Sequence, residues 1–102
     1  GQPTVGVKTP VTLAELEAAL VRLFKPKGSS FPQTALFYFS GHGLQKDAGI
    51  QEGYLATSDA NPSNGFYGLS LFWLRRLLQE SPVRQRIILL DCCHSGELLN
   101  YL

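Results

Sequence analysis

Two short segments made up entirely of apolar and aromatic residues place the strongest constraint on how this chain can fold. They are residues 35–39 (ALFYF) and residues 87–90 (IILL). Short segments of this kind are typical of strands buried on both faces, as in parallel sheets covered by helices. We therefore expect both segments to be buried strands.

A stretch with helical periodicity precedes each of these segments. Thr12 and Glu15 form a capping-box pattern at the start of the first stretch, and residues 25–28 (KPKG) end it. Ser70 can cap the second stretch, which Pro82 ends. Helices that alternate with strands predict an α/β fold, with a mostly parallel sheet flanked by helices.

The remaining sequence has the composition of loops. Residues 1–11 (GQPTVGVKTPV) contain two prolines and two glycines. Residues 43–68 are rich in glycine, asparagine, aspartate and serine, with one short strand-like piece at 54–57. We expect one domain over residues 1–102, with 1–11 as a loop-like leader and 12–102 as its core.

Composition and charge restrict the classes of partner. The chain has 102 residues, 44% of them apolar and 17% charged, and a net charge of +1, which is typical of one soluble globular unit. Its nine basic residues are scattered along the sequence, which argues against nucleic-acid binding. Since no apolar run approaches the roughly 20 residues that span a bilayer, we expect no membrane partner either.

The two cysteines, Cys92 and Cys93, are adjacent in the sequence. Neighbouring Cα atoms lie about 3.8 Å apart, closer than the roughly 4.4 Å minimum that is usual for a disulfide. We therefore expect two free thiols, which fits a reducing compartment and a cytoplasmic location.

Reactive side chains follow both apolar segments. His42 lies between two glycines in YFSGHGL (residues 38–44), and Cys93 lies in LLDCCHSG (residues 89–96). In parallel α/β sheets, ligands bind outside the carboxyl ends of the strands. Because His42 and Cys93 each follow such an end, we expect both to open onto the same edge of the sheet.

The two-residue period of a strand adds a prediction about side-chain direction. It puts Ser40 and His42 on one side, and likewise Asp91 and Cys93, provided that the backbone stays extended through these residues. A histidine beside a cysteine lowers the pKa of the thiol or accepts its proton, which produces a nucleophile. The glycines on either side of His42 allow a tight turn that brings a backbone N–H close to a substrate carbonyl.

Each of these residues also has a purely structural interpretation. A single histidine in a glycine-rich turn is often structural, and cysteines at a strand end are often small buried hydrophobic side chains. A metal site made of Cys92, Cys93, His94 and His42 is a weaker alternative, because structural zinc sites space their cysteines by two to four residues. The presence of reactive residues at two strand ends favours a catalytic site.

Taken together, the two motifs resemble those of the caspase-fold cysteine peptidases, and most closely those of the metacaspase and bacterial orthocaspase branch. This branch typically carries Ser-Gly-His-Gly and Asp-X-Cys-His-Ser-Gly, which are residues 40–43 and 91–96 here. The resemblance covers roughly residues 12–98, and the separation of His42 from Cys93 is close to the roughly 50 residues of caspases. It implies a caspase-like fold, of which this chain is expected to be only the central part.

The resemblance also implies a Cys-His dyad. Cys93, rather than Cys92, matches the nucleophile, and His42 matches the base. The backbone N–H groups of Gly43 and Cys93 match the oxyanion hole. The chain is therefore expected to be a cysteine endopeptidase, with the small-subunit region of the caspase-like domain as a partner.

Specificity and activation follow from the same resemblance. Ser40 and Asp91 match the residues that line the pocket for a basic side chain, which implies cleavage of protein or peptide substrates after Arg or Lys. The chemistry requires no cofactor. Calcium activates many metacaspases, and Asp47, Glu52 and Asp59 are candidate ligands, although the sequence has no EF-hand loop and a solvated loop is the alternative. The alternative function is an inactive caspase-like module used for binding or scaffolding.

Overall fold

The computed structural model describes residues 10–28 and 32–102 of the chain. Most of the expected loop-like leader, residues 1–9, therefore lies outside the described residues. In chain order, the helices and strands are α1 (Leu13–Phe24), β1 (Thr34–Ser40), β2 (Gly43–Asp47), β3 (Gln51–Leu55), β4 (Leu69–Ser70), α2 (Leu71–Glu80), β5 (Gln85–Asp91) and α3 (Ser95–Leu99), with a short 3-10 turn at Pro62–Asn64.

The two longer helices begin where the capping patterns predict. The Thr12 Oγ1 atom accepts a hydrogen bond from the Glu15 N–H at 3.2 Å, and Glu15 Oε1 accepts one from the Thr12 N–H at 2.9 Å. Ser70 caps α2 by accepting from the Trp73 N–H at 3.4 Å. These caps satisfy N–H groups that would otherwise lack a partner at the first turn.

β1 and β5 form a parallel pair, as the apolar segments predict. The register runs from Thr34 opposite Gln85 to Ser40 opposite Asp91. The parallel pairing and the surrounding helices confirm the α/β class. Because the two strands end side by side, the residues that follow them emerge at the same edge of the sheet.

The prediction that these strands are buried on both faces, in contrast, is wrong. Along β1, buried and exposed residues alternate, so that Ala35, Phe37 and Phe39 enter the core while Leu36 and Tyr38 are 52% and 57% exposed. The core beneath the buried face includes apolar residues of both longer helices. Within residues 10–28 and 32–102, no element covers the opposite face, and this is why the apolar side chains on it are accessible.

The long polar segment holds more strand than the sequence indicates. β2 and β3 form an antiparallel hairpin with Gly43 opposite Leu55 and Asp47 opposite Gln51, and β4 extends it to a three-stranded sheet. The sequence predicts only one strand-like piece, at residues 54–57, because glycines and polar residues dominate the segment. The hairpin forms despite this composition since a three-residue loop, with Gly49 at φ 88°, allows the chain to reverse tightly.

None of the helices that the structure describes is both long enough and apolar enough to cross a membrane.

Candidate active site

Both motifs leave the parallel sheet at the same level. β1 ends at Ser40 and β5 at Asp91, which lie opposite each other, and the Gly41 N–H donates to the Asp91 carbonyl at 3.3 Å. His42 then connects β1 to β2, while Cys93 lies in the turn that leads to α3. The carboxyl ends of the two strands thus carry both reactive residues.

The direction of the reactive side chains does not follow from strand alternation. That prediction requires extended backbone through His42 and Cys93, but the strands end two residues before each of them. A bend follows Ser40 at Gly41, and another follows Asp91 at Cys92. Alternation therefore describes Ser40 and Asp91, which lie within the strands, and gives no information on the residues beyond them.

The two motifs come into contact at Gly43. A Cβ atom placed on this residue would overlap Leu98 Cδ1 and would lie 2.9 Å from the Cys93 carbonyl oxygen and 3.1 Å from Cys92 Sγ. Because Gly43 directly follows His42, its close approach brings the histidine segment against the turn that holds both cysteines. Because there is no space for a side chain at this position, the residue must be glycine.

The hydrogen bonds of the hairpin fix the backbone around His42. The His42 carbonyl accepts from the Ala56 N–H at 2.9 Å, and the next pair, Gly43 and Leu55, is in register across the hairpin. Hydrogen-bonded and non-hydrogen-bonded pairs alternate in antiparallel ladders. The Gly43 N–H therefore points away from β3, towards the outer edge of β2.

A short helix holds the cysteine turn in place. His94 adopts a left-handed conformation, with φ 62°, at the start of α3, and its carbonyl accepts from the Leu98 N–H at 2.9 Å. Leu98 is fully buried and is the side chain closest to Gly43. Its anchoring role could not be predicted from the motif, since Leu98 lies beyond it.

The two adjacent cysteines have different surroundings. Cys92 is partly buried and packs against the core, whereas Cys93 is exposed. Burial raises the pKa of the Cys92 thiol, and the charges of Cys93 and Asp91 raise it further. A thiol with a raised pKa remains protonated and is a poor nucleophile at neutral pH. His42 is also exposed, so both residues of the expected dyad are accessible to a substrate.

The two expected pocket residues are neighbours, and a third residue joins them. Ser40 and Asp91 face each other across the parallel pair, and the Tyr38 hydroxyl donates to Asp91 Oδ2 at 3.1 Å. Tyr38 was not among the residues that the sequence indicates. Its position two residues before Ser40, on the same face of β1, is the signal that could have found it.

The three candidate calcium ligands lie on different elements. Asp47 ends β2, Glu52 lies within β3, and Asp59 Oδ1 accepts from the Leu13 N–H at 3.1 Å and from Thr57 Oγ1 at 2.7 Å. The bond from Thr57 lowers the pKa of Asp59. In the part of the chain that the structure describes, no three His, Cys, Asp or Glu residues are grouped to hold a metal ion. The hydrogen bond to Leu13 attaches the loop that follows β3 to the start of α1.

A comparison with family models identifies the family of this chain. The family model described as the caspase domain matches residues 4–101. The chain belongs to the caspase-domain family. Searches against curated proteins and against solved structures gave no significant match. Membership supports a cysteine peptidase activity for this caspase domain.

Proposed function

We propose that this caspase domain is a cysteine endopeptidase of the metacaspase and orthocaspase type, with Cys93 as the nucleophile and His42 as the base. The observation that supports this most strongly is the contact at Gly43, which joins the histidine segment to the cysteine turn. Two motifs that are far apart in the sequence are thereby adjacent at one edge of the sheet.

The reaction proceeds through an acyl-enzyme. His42 accepts the proton of the Cys93 thiol, and the sulfur attacks the carbonyl carbon of the scissile peptide bond. The C–N bond then breaks as the protonated His42 donates its proton to the leaving amine. Water, activated by His42, hydrolyses the thioester, which releases the carboxylic acid and regenerates the thiol.

Backbone groups stabilise the negative charge on the carbonyl oxygen. The N–H of Gly43 points away from β3, and the cysteine turn lies against the same glycine. The Gly43 N–H and the Cys93 N–H together form an oxyanion hole that binds the tetrahedral intermediate more strongly than the substrate. Removing one such donor typically costs on the order of 10²- to 10³-fold in rate.

Cleavage occurs after Arg or Lys. The Asp91 carboxylate lies at the end of β5 opposite Ser40, at the edge where His42 and Cys93 emerge. A carboxylate there attracts a guanidinium or ammonium group through charge-assisted hydrogen bonds. It repels an acidic side chain, so selectivity arises from repulsion as well as attraction.

The expected partner is the small-subunit region of the caspase domain. Leu36 and Ile87 are exposed on the outer face of the parallel pair, at 52% and 43%. Exposed apolar side chains grouped on one face of a sheet are typical of an interaction surface. The cytoplasm is the proposed location, because the two adjacent thiols fit a reducing compartment.

The test of this proposal compares the two neighbouring cysteines. Cys93→Ala abolishes cleavage of an arginyl peptide, whereas Cys92→Ala retains most of it, because Cys92 packs inward and Cys93 is exposed. Unfolding curves of both variants check that each is folded. Equal loss in two folded variants contradicts the assignment. An absence of cleavage in the wild-type protein favours the alternative, a caspase-like binding module.

A further inference from the structure

We propose that Tyr38 is a positioning residue that holds Asp91 in the orientation needed to bind a basic side chain, and thereby contributes to substrate selectivity. This inference rests on the proposed function, in which Asp91 binds the residue before the scissile bond. Tyr38 acts through Asp91 and does not itself take part in the chemistry.

The first observation is the hydrogen bond between the two side chains. The Tyr38 hydroxyl donates to Asp91 Oδ2 at 3.1 Å. Tyr38 lies opposite Leu89 in the parallel pair, so it reaches diagonally across to the residue two positions further along β5. Diagonal neighbours on one face of a sheet are within reach of aromatic side chains.

The second observation is the location of Asp91 at the last position of β5. The chain bends at Cys92, directly after it, and the Asp91 side chain is exposed. An exposed carboxylate at a strand end is free to rotate, and restricting this rotation on substrate binding costs conformational entropy, which weakens binding. Tyr38 belongs to the interior of β1, where the parallel ladder fixes its backbone.

The chemistry of the bond suits this role. A hydroxyl that donates to a carboxylate forms a charge-assisted hydrogen bond. With Oδ2 bound to Tyr38, the other oxygen is available to accept from a guanidinium or ammonium group. Tyr38 thus selects one orientation of Asp91 before substrate arrives.

The experiment measures the cleavage of two peptides that differ in one group. One peptide has arginine before the scissile bond, and the other has citrulline, its neutral isostere. Tyr38→Phe removes the hydroxyl and keeps the ring. We expect kcat/KM for the arginyl peptide to fall about 3- to 10-fold, the size of one net hydrogen bond, mainly through KM. The citrulline peptide should be cleaved at an unchanged rate.

Two further variants make the result specific. Tyr54→Phe is the matched control, because the Tyr54 hydroxyl also donates to a carboxylate, that of Glu52, on the other sheet. It should leave the rates for both peptides unchanged. In an Asp91→Ala background, Tyr38→Phe should have no additional effect, since the group it positions is gone.

The outcomes separate this inference from the proposed function. If Asp91→Ala lowers the arginine preference but Tyr38→Phe does not, the positioning role is wrong and the pocket assignment stands. A loss in Tyr38→Phe that is equal for both peptides indicates a structural role and overturns the inference. If Asp91→Ala leaves the arginine preference unchanged, the proposed pocket is wrong and the role of Tyr38 is wrong with it.

Discussion

The two sides of β1 show how one strand serves both stability and the site. On the inner face, Phe37 and Phe39 are buried in the core beside residues of α1. On the outer face, Tyr38 and Ser40 are exposed and lie next to Asp91. The inner face resembles the core of any α/β domain. The outer face and the turn that follows it carry the groups that we propose to bind and react with the substrate.

Because buried and exposed residues alternate along β1, substitutions in this strand fall into two kinds. Changes on the inner face remove packing, and they should reduce the free energy of unfolding. Changes at the outer face or the following turn touch exposed groups, so they should alter activity with little effect on stability. The predictions below test this separation.

His42→Ala should have the largest effect on activity. We expect the rate of peptide cleavage to fall on the order of 10²- to 10⁴-fold, the typical contribution of a positioned general base. Because His42 is exposed, the free energy of unfolding should change by less than about 0.5 kcal/mol. Steady-state kinetics and chemical denaturation check the two expectations. Near-normal cleavage between pH 6 and 8 would show that His42 is not the base.

Adjacent substitutions on the two faces of β1 should differ in their effect on stability. Phe37→Ala should lower the free energy of unfolding by about 3–5 kcal/mol, since it removes a buried ring and leaves a cavity. Leu36→Ala, its neighbour on the outer face, should cost less than about 1 kcal/mol because the side chain is 52% exposed.

Both variants are to be measured by urea denaturation on the 102-residue chain. A large decrease in the free energy of unfolding for Leu36→Ala would show that the outer face is covered in solution. The proposed difference between the two faces would then be wrong. Repeating the measurement with the proposed small-subunit region present sharpens it, because a larger decrease in the free energy of unfolding in its presence is the result expected if that region covers this face.

Local signals in the sequence predict much of the fold. The Thr12 capping box, the Ser70 cap and the two apolar segments each depend on residues close together in the chain, and all of them appear in the structure. The parallel pairing follows from the alternation of helices and strands. The site could be located at a sheet edge for the same reason.

The features that the sequence did not predict depend on residues far apart in the chain. The exposure of Leu36 depends on what packs against the outer face, which the strand sequence does not specify. The hydrogen bond between Tyr38 and Asp91, which are 53 residues apart in the sequence, depends on the register of the two strands. The sequence did not predict the hairpin of β2 and β3, because a glycine-rich composition normally indicates a loop. In this hairpin, Gly43 instead lies in a strand and permits close packing.

The central claim is that Cys93, activated by His42, is the nucleophile of a peptidase. The most direct test is to label the protein with an arginyl peptide chloromethyl ketone, measure the rate and locate the adduct by mass spectrometry. The adduct should form on Cys93 alone, far faster than on free cysteine, and His42→Ala should slow it. Cys92 should remain unlabelled because burial raises the pKa of its thiol. An adduct on Cys92, or a rate equal to that of free cysteine, would contradict the account.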